Sequence, residues 1–324
     1  MENLVALSLV AIYSAMGVYT IAFILFTLDL AKRSAALPAP AAAATAELAE
    51  VVGGGSPSSG VATAVRPIVD APPPVGATRY QRVAFALAVL GWVLHFGGTV
   101  LRGVAAERVP WANMFEFGLT ATAIGMGVYL LAQFWRDLKF LGAYITGITL
   151  LSLGIVTVNF YVDVVPLPPA LQSAWLVIHV FVASLATGFF AIGAGLSVMQ
   201  LLRTQREMRK AEGLRFLDTL PGSTALESLA YRVNVVGFVF WTFTLIAGAI
   251  WAERAWGRYW GWDTKEVWTF IIWTLFAGYI HARATRGWRG DRSAWLAIVG
   301  FSAVIFNYTI VNLFFKGLHS YSGL

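Results

Sequence analysis

Eight stretches of this chain run for roughly 20 residues with few or no charged side chains, the length a helix needs to cross a ~30 Å hydrocarbon core. They fall near 4–30, 81–101, 113–134, 140–161, 174–201, 231–251, 267–284 and 294–315. Stretches of this length read as spans, not as buried core helices, so the expected fold is an all-α integral membrane protein of about eight transmembrane helices. Composition agrees: 58% of the 324 residues are hydrophobic and 12% are charged, outside the range of water-soluble domains.

The net charge of +6 does not point to nucleic acid, because the basic residues form short clusters between apolar runs and no single patch. If the segments after the odd-numbered helices are cytoplasmic, only Arg102, Arg108, Arg254, Arg258, Lys265 and Lys316 lie on the outer side, and the other 17 of 23 Lys and Arg lie inside. The positive-inside rule then predicts both termini external. The first run, Leu4 to Leu30, has no basic residue before it and is followed by Lys32 and Arg33, the reverse of a cleaved signal peptide, so it reads as a retained helix. Residues 1–33 are thus expected as a first transmembrane helix, 34–78 as a disordered cytoplasmic linker rich in Ala, Pro, Gly and Ser, and 79–324 as a seven-helix membrane domain. Leu202 to Glu227 alternates basic and apolar residues. It reads as a positive-inside anchor, with a helix lying along the membrane surface as the alternative.

The chain has no cysteine. It forms no disulfide and supplies no thiol, so any thiol chemistry belongs to a partner.

Six of the 13 tryptophans fall between Trp251 and Trp273, in WAERAWGRYWGWDTKEVWTFIIW. An aromatic belt at the headgroup level accounts for two or three of them. The close packing of Trp256, Tyr259, Trp260 and Trp262 suits a large planar apolar ligand, which gains contact area from rigid rings. Asp263 and Glu266, three apart, read first as a capping pair for the seventh helix. Arg254, Arg258 and Lys265 are candidates to meet carboxylates of a ligand.

Imidazole is the side chain best suited to axial ligation of haem iron. His179 lies near the outer end of the fifth helix and His319 just beyond the outer end of the eighth, so both flank the aromatic segment. His281 follows Glu266 by 15 residues, roughly 22 Å inward at 1.5 Å per residue, and an ionisable residue at that depth is a functional candidate. His95 is similarly deep, with no motif around it.

WGRYWGWDTKEVW at 256–268 resembles the tryptophan-rich WWD signature of haem-handling proteins in cytochrome c biogenesis. PALQSAWLVIH at 169–179, GAIWAERAWGRYWGWDTKEVW at 248–268, YIHAR at 279–283 and VNLFFKGLHSY at 311–321 are similar to the CcsA/ResC family of the system II pathway. VPWANMFEF at 109–117 carries a weaker likeness. The departures are the Ala/Pro insertion after the first helix and AAERVP where many relatives have Gly-His before the Pro.

The resemblance implies haem b as a transported substrate, held externally between His179 and His319 against Trp251, Trp256, Tyr259, Trp260, Trp262, Asp263, Glu266 and Trp268. It implies that His281 ligates a second haem in the membrane, with the opposite ligand from a CcsB/ResB-type partner, and it leaves His95 without a carried-over role. Reduced, coordinated haem would be presented to the two thiols of an apocytochrome c Cys-X-X-Cys-His segment, making the chain a subunit of a cytochrome c synthase, with thiol-reducing proteins acting indirectly. Positioning alone can supply about 7–11 kcal/mol at the intramolecular limit. The expected location is a bacterial cytoplasmic membrane, ahead of a plastid thylakoid. A system I-type WWD protein is disfavoured by Lys265-Glu266 and by the GLHSY ending. A dihaem electron-transfer protein is disfavoured because each histidine belongs to a different helix. A haem-free transporter is the third alternative.

Overall fold

The computed structural model describes residues 2–37, 78–167, 169–209, 215–285, 288–315 and 317–319. The linker expected at 34–78 lies almost wholly outside the described residues. Eight long helices follow in order, with no strand among the described residues: α1 (Glu2–Ala36), α2 (Arg79–Ala105), α3 (Met114–Ala132), α4 (Gly142–Asn159), α5 (Ala174–Arg209), α6 (Ser223–Trp256), α7 (Thr264–Ala284) and α8 (Asp291–Phe306). The chain past α8 continues as a π turn, Asn307–Val311, and a last helical segment, Asn312–Phe314. Seven of these helices are long and apolar enough to cross a membrane. The other, α7, carries Lys265 and Glu266 at one end and His281 and Arg283 at the other; its 21 residues reach about 32 Å at 1.5 Å per residue.

Local chemistry sets the boundaries. Thr78 caps α2 by accepting from Gln81 N, and Asn113 caps α3 by accepting from Glu116 N; each satisfies an orphan donor of the first turn. Gly257 ends α6 at φ +71°, a left-handed residue that glycine adopts without steric cost. The segment 202–227 does not form one surface helix. Instead α5 runs on to Arg209, a 3₁₀ turn covers Arg215–Thr219 and α6 begins at Ser223. Arg203 and Arg206 both reach Asp218, each at 2.6 Å. Burial works against that carboxylate, but the two guanidiniums outweigh it and hold its pKa below the usual value. These charge-assisted pairs tie the end of α5 to the 3₁₀ turn before α6.

The outer faces of the helices are apolar. Leu7, Val10, Ile21 and Ile24 on α1 and Val83, Val93 and Phe96 on α2 are exposed, as lipid-facing positions require. Ser8 turns inward and donates to the Gly98 carbonyl at 2.8 Å, joining α1 to α2. Close approach of α1 and α2 depends on Gly91, where a Cβ would come within 2.8 Å of the Tyr19 ring. Phe190 of α5 stacks on Phe276 of α7 with ring centroids 3.6 Å apart.

Where α2 leads into α3, Glu116 is fully buried between Arg102 (3.2 Å) and Arg108 (2.6 Å). It also accepts from Ala112 N, while Arg102 donates to the Val162 carbonyl at 2.7 Å. This clasp fixes the loop carrying Trp111 and Asn113 over the bundle.

Candidate functional site

An apolar cavity of about 340 Å³ opens among α3, α4, α5, α6, α7 and α8 and beneath the aromatic segment. That volume is within the range of pockets that take a cofactor-sized ligand, about 300–1,000 Å³. Its lining includes His179, Trp251, Tyr259, Trp260, Glu266 and His319, drawn from 140 positions of sequence. It extends inward between α3, α4 and α5 as far as Tyr144.

His179 sits in the second turn of α5. Its Nδ1 donates to the Thr244 carbonyl of α6 at 2.9 Å; the acceptor is a carbonyl, so Nδ1 carries the proton. The ring fits only because residue 248 is glycine, since a Cβ there would stand 2.8 Å from His179 Cε1. His319 is oriented the same way, its Nδ1 2.8 Å from Asp263 Oδ2. Each imidazole therefore leaves Nε2, the lone-pair nitrogen, without a protein hydrogen bond among the described residues. Fixing a histidine through Nδ1 so that Nε2 is available is the usual arrangement behind a metal-ligating imidazole. This donor set fits a haem iron.

Trp251 joins the two histidines. It is 2% exposed, lies nearly parallel to His179 with centroids 5.8 Å apart, and meets His319 edge-on at 5.4 Å. Trp256 adds a second edge-on contact to His319 at 4.9 Å.

Asp263 and Glu266 form the expected capping box at the start of α7, and they do more. Asp263 accepts from Lys265 N, from Leu318 N at 3.0 Å and from His319, which ties the tail beyond α8 to the aromatic segment. The His319 hydrogen bond is the main reason its carboxyl is held below the usual carboxylate range. A Cβ on Gly317 would collide with Asp263 Oδ1, so the tail can close this way only with glycine there. Glu266 accepts from Gly261 N at 2.8 Å and Asp263 N at 3.1 Å, folding the loop back on the helix.

The model of the family described as cytochrome C assembly protein matches residues 111–319, more than half of the chain and the whole of this site. The chain belongs to that family. It is similar to the cytochrome c biogenesis protein CcsA of Guillardia theta, 36% identical over 69% of this chain and 80% of the relative. CcsA of Synechococcus elongatus is 35% identical over 68% and 81% of the two chains, and CcsA of Prochlorococcus marinus is 35% identical over 68% and 78%. Among solved structures, a "Cytochrome c Heme Lyase CcmF" superposes with a TM-score of 0.59 over 94% of this chain and 46% of that one, at 16% identity. At that identity the likeness concerns the fold, and the chain spans about half of the larger structure. This assembly protein is thus a multi-pass membrane protein of cytochrome c biogenesis, CcsA-like in sequence.

The remaining aromatic residues of the assembly protein do not form one flat platform. Trp268 turns to α8 and packs on Phe306, centroids 4.4 Å apart. Trp260 meets Trp262 edge-on at 5.8 Å. Trp262 is 79% exposed and takes φ +57°, while Tyr259 is 62% exposed. A bulky side chain in the left-handed region is uncommon and strained.

His281 is exposed in the last turn of α7 and does not line the cavity. His95 is fully buried, its Nε2 3.0 Å from the Leu119 carbonyl and its ring edge-on to Tyr19; it pins α1, α2 and α3 together. Thr244 and Asn307 line the cavity and escaped sequence reasoning, and Gly248 was read only as the first residue of a quoted motif. Asn113 and Asn312 lay inside quoted motifs without a role, and that was their only signal.

Proposed function

We propose that this protein delivers haem to the outer face of the membrane and holds it there, between His179 and His319, for covalent attachment to apocytochrome c. The observation that carries this reading is the convergence of two imidazoles far apart in sequence, His179 and His319, on one cavity, each locked through Nδ1 with Nε2 left for a metal. Bound haem would supply the reactive vinyl groups. The chain's own residues do the rest: His179 and His319 orient the iron, Asp263 and Thr244 hold their tautomers, and Trp251 and Trp256 keep water from the ring face. With no cysteine of its own, the protein acts by positioning.

On this reading the protein works by system II with a CcsB/ResB-type partner, in a bacterial cytoplasmic membrane, with both termini external and 34–78 as a tether before the seven-helix unit. The exposed face of His281 is available to such a partner, and it would ligate a second haem b at their junction. The cyanobacterial CcsA relatives support the bacterial location, and the positive-inside count supports the orientation.

The test is spectroscopic. Full-length protein co-purified with its membrane partner should show the Soret and α bands of six-coordinate low-spin haem, quantified as pyridine haemochrome. His179→Ala or His319→Ala should each disturb that spectrum and abolish maturation of a Cys-X-X-Cys-His substrate, and the double variant should be little worse than either single one. His281→Ala should remove a separate spectral component. Protein free of any Soret band, or unchanged maturation in both single variants, would end the haem-presentation reading.

A further inference from the structure

Of the three cations flanking the aromatic segment, Lys265 is the one that lines the cavity among the described residues; Arg254 and Arg258 are exposed. Lys265 stands in the first turn of α7 beside two carboxylates, but both are already engaged. Asp263 serves Leu318 N and His319, and Glu266 serves Gly261 N and Asp263 N. The ammonium therefore makes one hydrogen bond, 2.5 Å to Asn312 Oδ1, and no ion pair among the described residues. An ammonium has three donors, so two remain. Asp263 attracts this charge without pairing with it directly, a charge withdrawn from water is costly, and the cavity that Lys265 lines is where a further anion can reach it.

Two more side chains that line the same cavity each leave one polar atom unpaired among the described residues. Asn113 and Asn307 are 5% and 6% exposed, and Asn113 Nδ2 and Asn307 Oδ1 have no hydrogen bond. The two ends of an amide are interchangeable by rotation, so Asn307 can present a donor as readily as Asn113. The Tyr308 hydroxyl donates to the Met114 carbonyl at 3.2 Å, which brings Asn307 beside the start of α3. On an α-helix, residues five apart point about 140° away from each other. The wider π turn at Asn307–Val311 lets Asn307 and Asn312 both line the cavity, and such turns recur at functional sites.

We infer that Lys265, steadied by Asn312 and supported by Asn113 and Asn307, binds a carboxylate of the ligand that enters this cavity. On the haem reading above, on which this inference rests, that carboxylate is a propionate. One porphyrin edge is then fixed by charge-assisted hydrogen bonds while His179 and His319 hold the iron. The anchor sets rotation of the ring about its axial bonds, which two imidazoles alone leave free, and so decides which edge faces the incoming thiols.

The experiment compares haem with its dimethyl ester, whose propionates are uncharged, on detergent-purified full-length protein by spectral titration. The unaltered protein should bind the ester about 10- to 100-fold more weakly than haem, the range for hydrogen bonds to a charged group. Lys265→Gln should lower haem affinity to the ester's level and leave the ester's affinity unchanged, and Lys265→Arg should recover most of the difference. Low-spin coordination should persist throughout. Equal affinity of the unaltered protein for haem and ester would overturn the inference, with no variant needed. Equal loss of both ligands in Lys265→Gln would also overturn it, because the lysine would then be structural. Protein that binds neither ligand would overturn the haem reading itself.

Discussion

His319 is set by one carboxylate. Asp263 Oδ2 holds its Nδ1 at 2.8 Å, and the same carboxylate also receives two backbone N–H groups, so neutralising it disturbs the imidazole and the tail together. Asp263→Asn should cost about 10- to 100-fold in haem affinity, the usual effect of losing an outer partner of a metal-bound histidine. Glu266→Gln should cost far less, because an amide oxygen can still accept from Gly261 N and Asp263 N. Titration of haem into both variants at matched protein level checks this, and equal losses would mean that the capping role, not the histidine, explains Asp263. Trp262 poses the opposite case. Its left-handed backbone and exposure are plain in the structure, and nothing packed against it accounts for the strain.

At the scale of helices, the site depends on how closely α5 and α6 approach. Gly248 of α6 faces His179 of α5, and a Cβ there falls 2.8 Å from the ring, under any normal contact. Gly248→Val should push the imidazole off the Thr244 carbonyl. Overpacking of this kind typically costs about 1–3 kcal/mol, visible as a lower Tm in detergent. The low-spin spectrum should weaken more than the Tm shift alone explains, since tautomer control is lost as well. A Tm change with an unaltered spectrum would show that α6 can yield without moving His179. The clasp of Glu116 with Arg102 and Arg108 acts at the same scale. It fixes the entry to α3, and hence where Asn113 meets the cavity.

For the whole molecule, orientation decides which face the site serves. A reporter fused after residue 60 should register as cytoplasmic and one fused after Leu324 as external, following the distribution of Lys and Arg. The reverse pattern would put His179 and His319 on the cytoplasmic side and remove them from contact with an exported apocytochrome. The exposed histidine of α7 belongs to this scale too. His281 looks away from the cavity, so the molecule presents one histidine pair inward and one single histidine to its surroundings.

The sequence alone determined the all-α membrane fold, because hydrocarbon demands long apolar segments with self-satisfied backbones, and that demand is written in one dimension. The eight long helices, the capping pair Asp263–Glu266 and the histidines flanking the tryptophans were legible for the same reason: each is local, or is carried by a motif. Helix ends were not, because the apolar pattern stops where the helices themselves do not: α5 runs on to Arg209 and α6 from Ser223 to Trp256, past the expected 174–201 and 231–251. Tertiary structure alone decided that Trp268 packs on α8 while Trp251 lies between the two histidines. It alone brought Gly248 against His179, and Asn113, Asn307 and Asn312 around Lys265. Those relations join residues scores to hundreds of positions apart, and only the crossing of packed helices determines which side chains meet in the space between them.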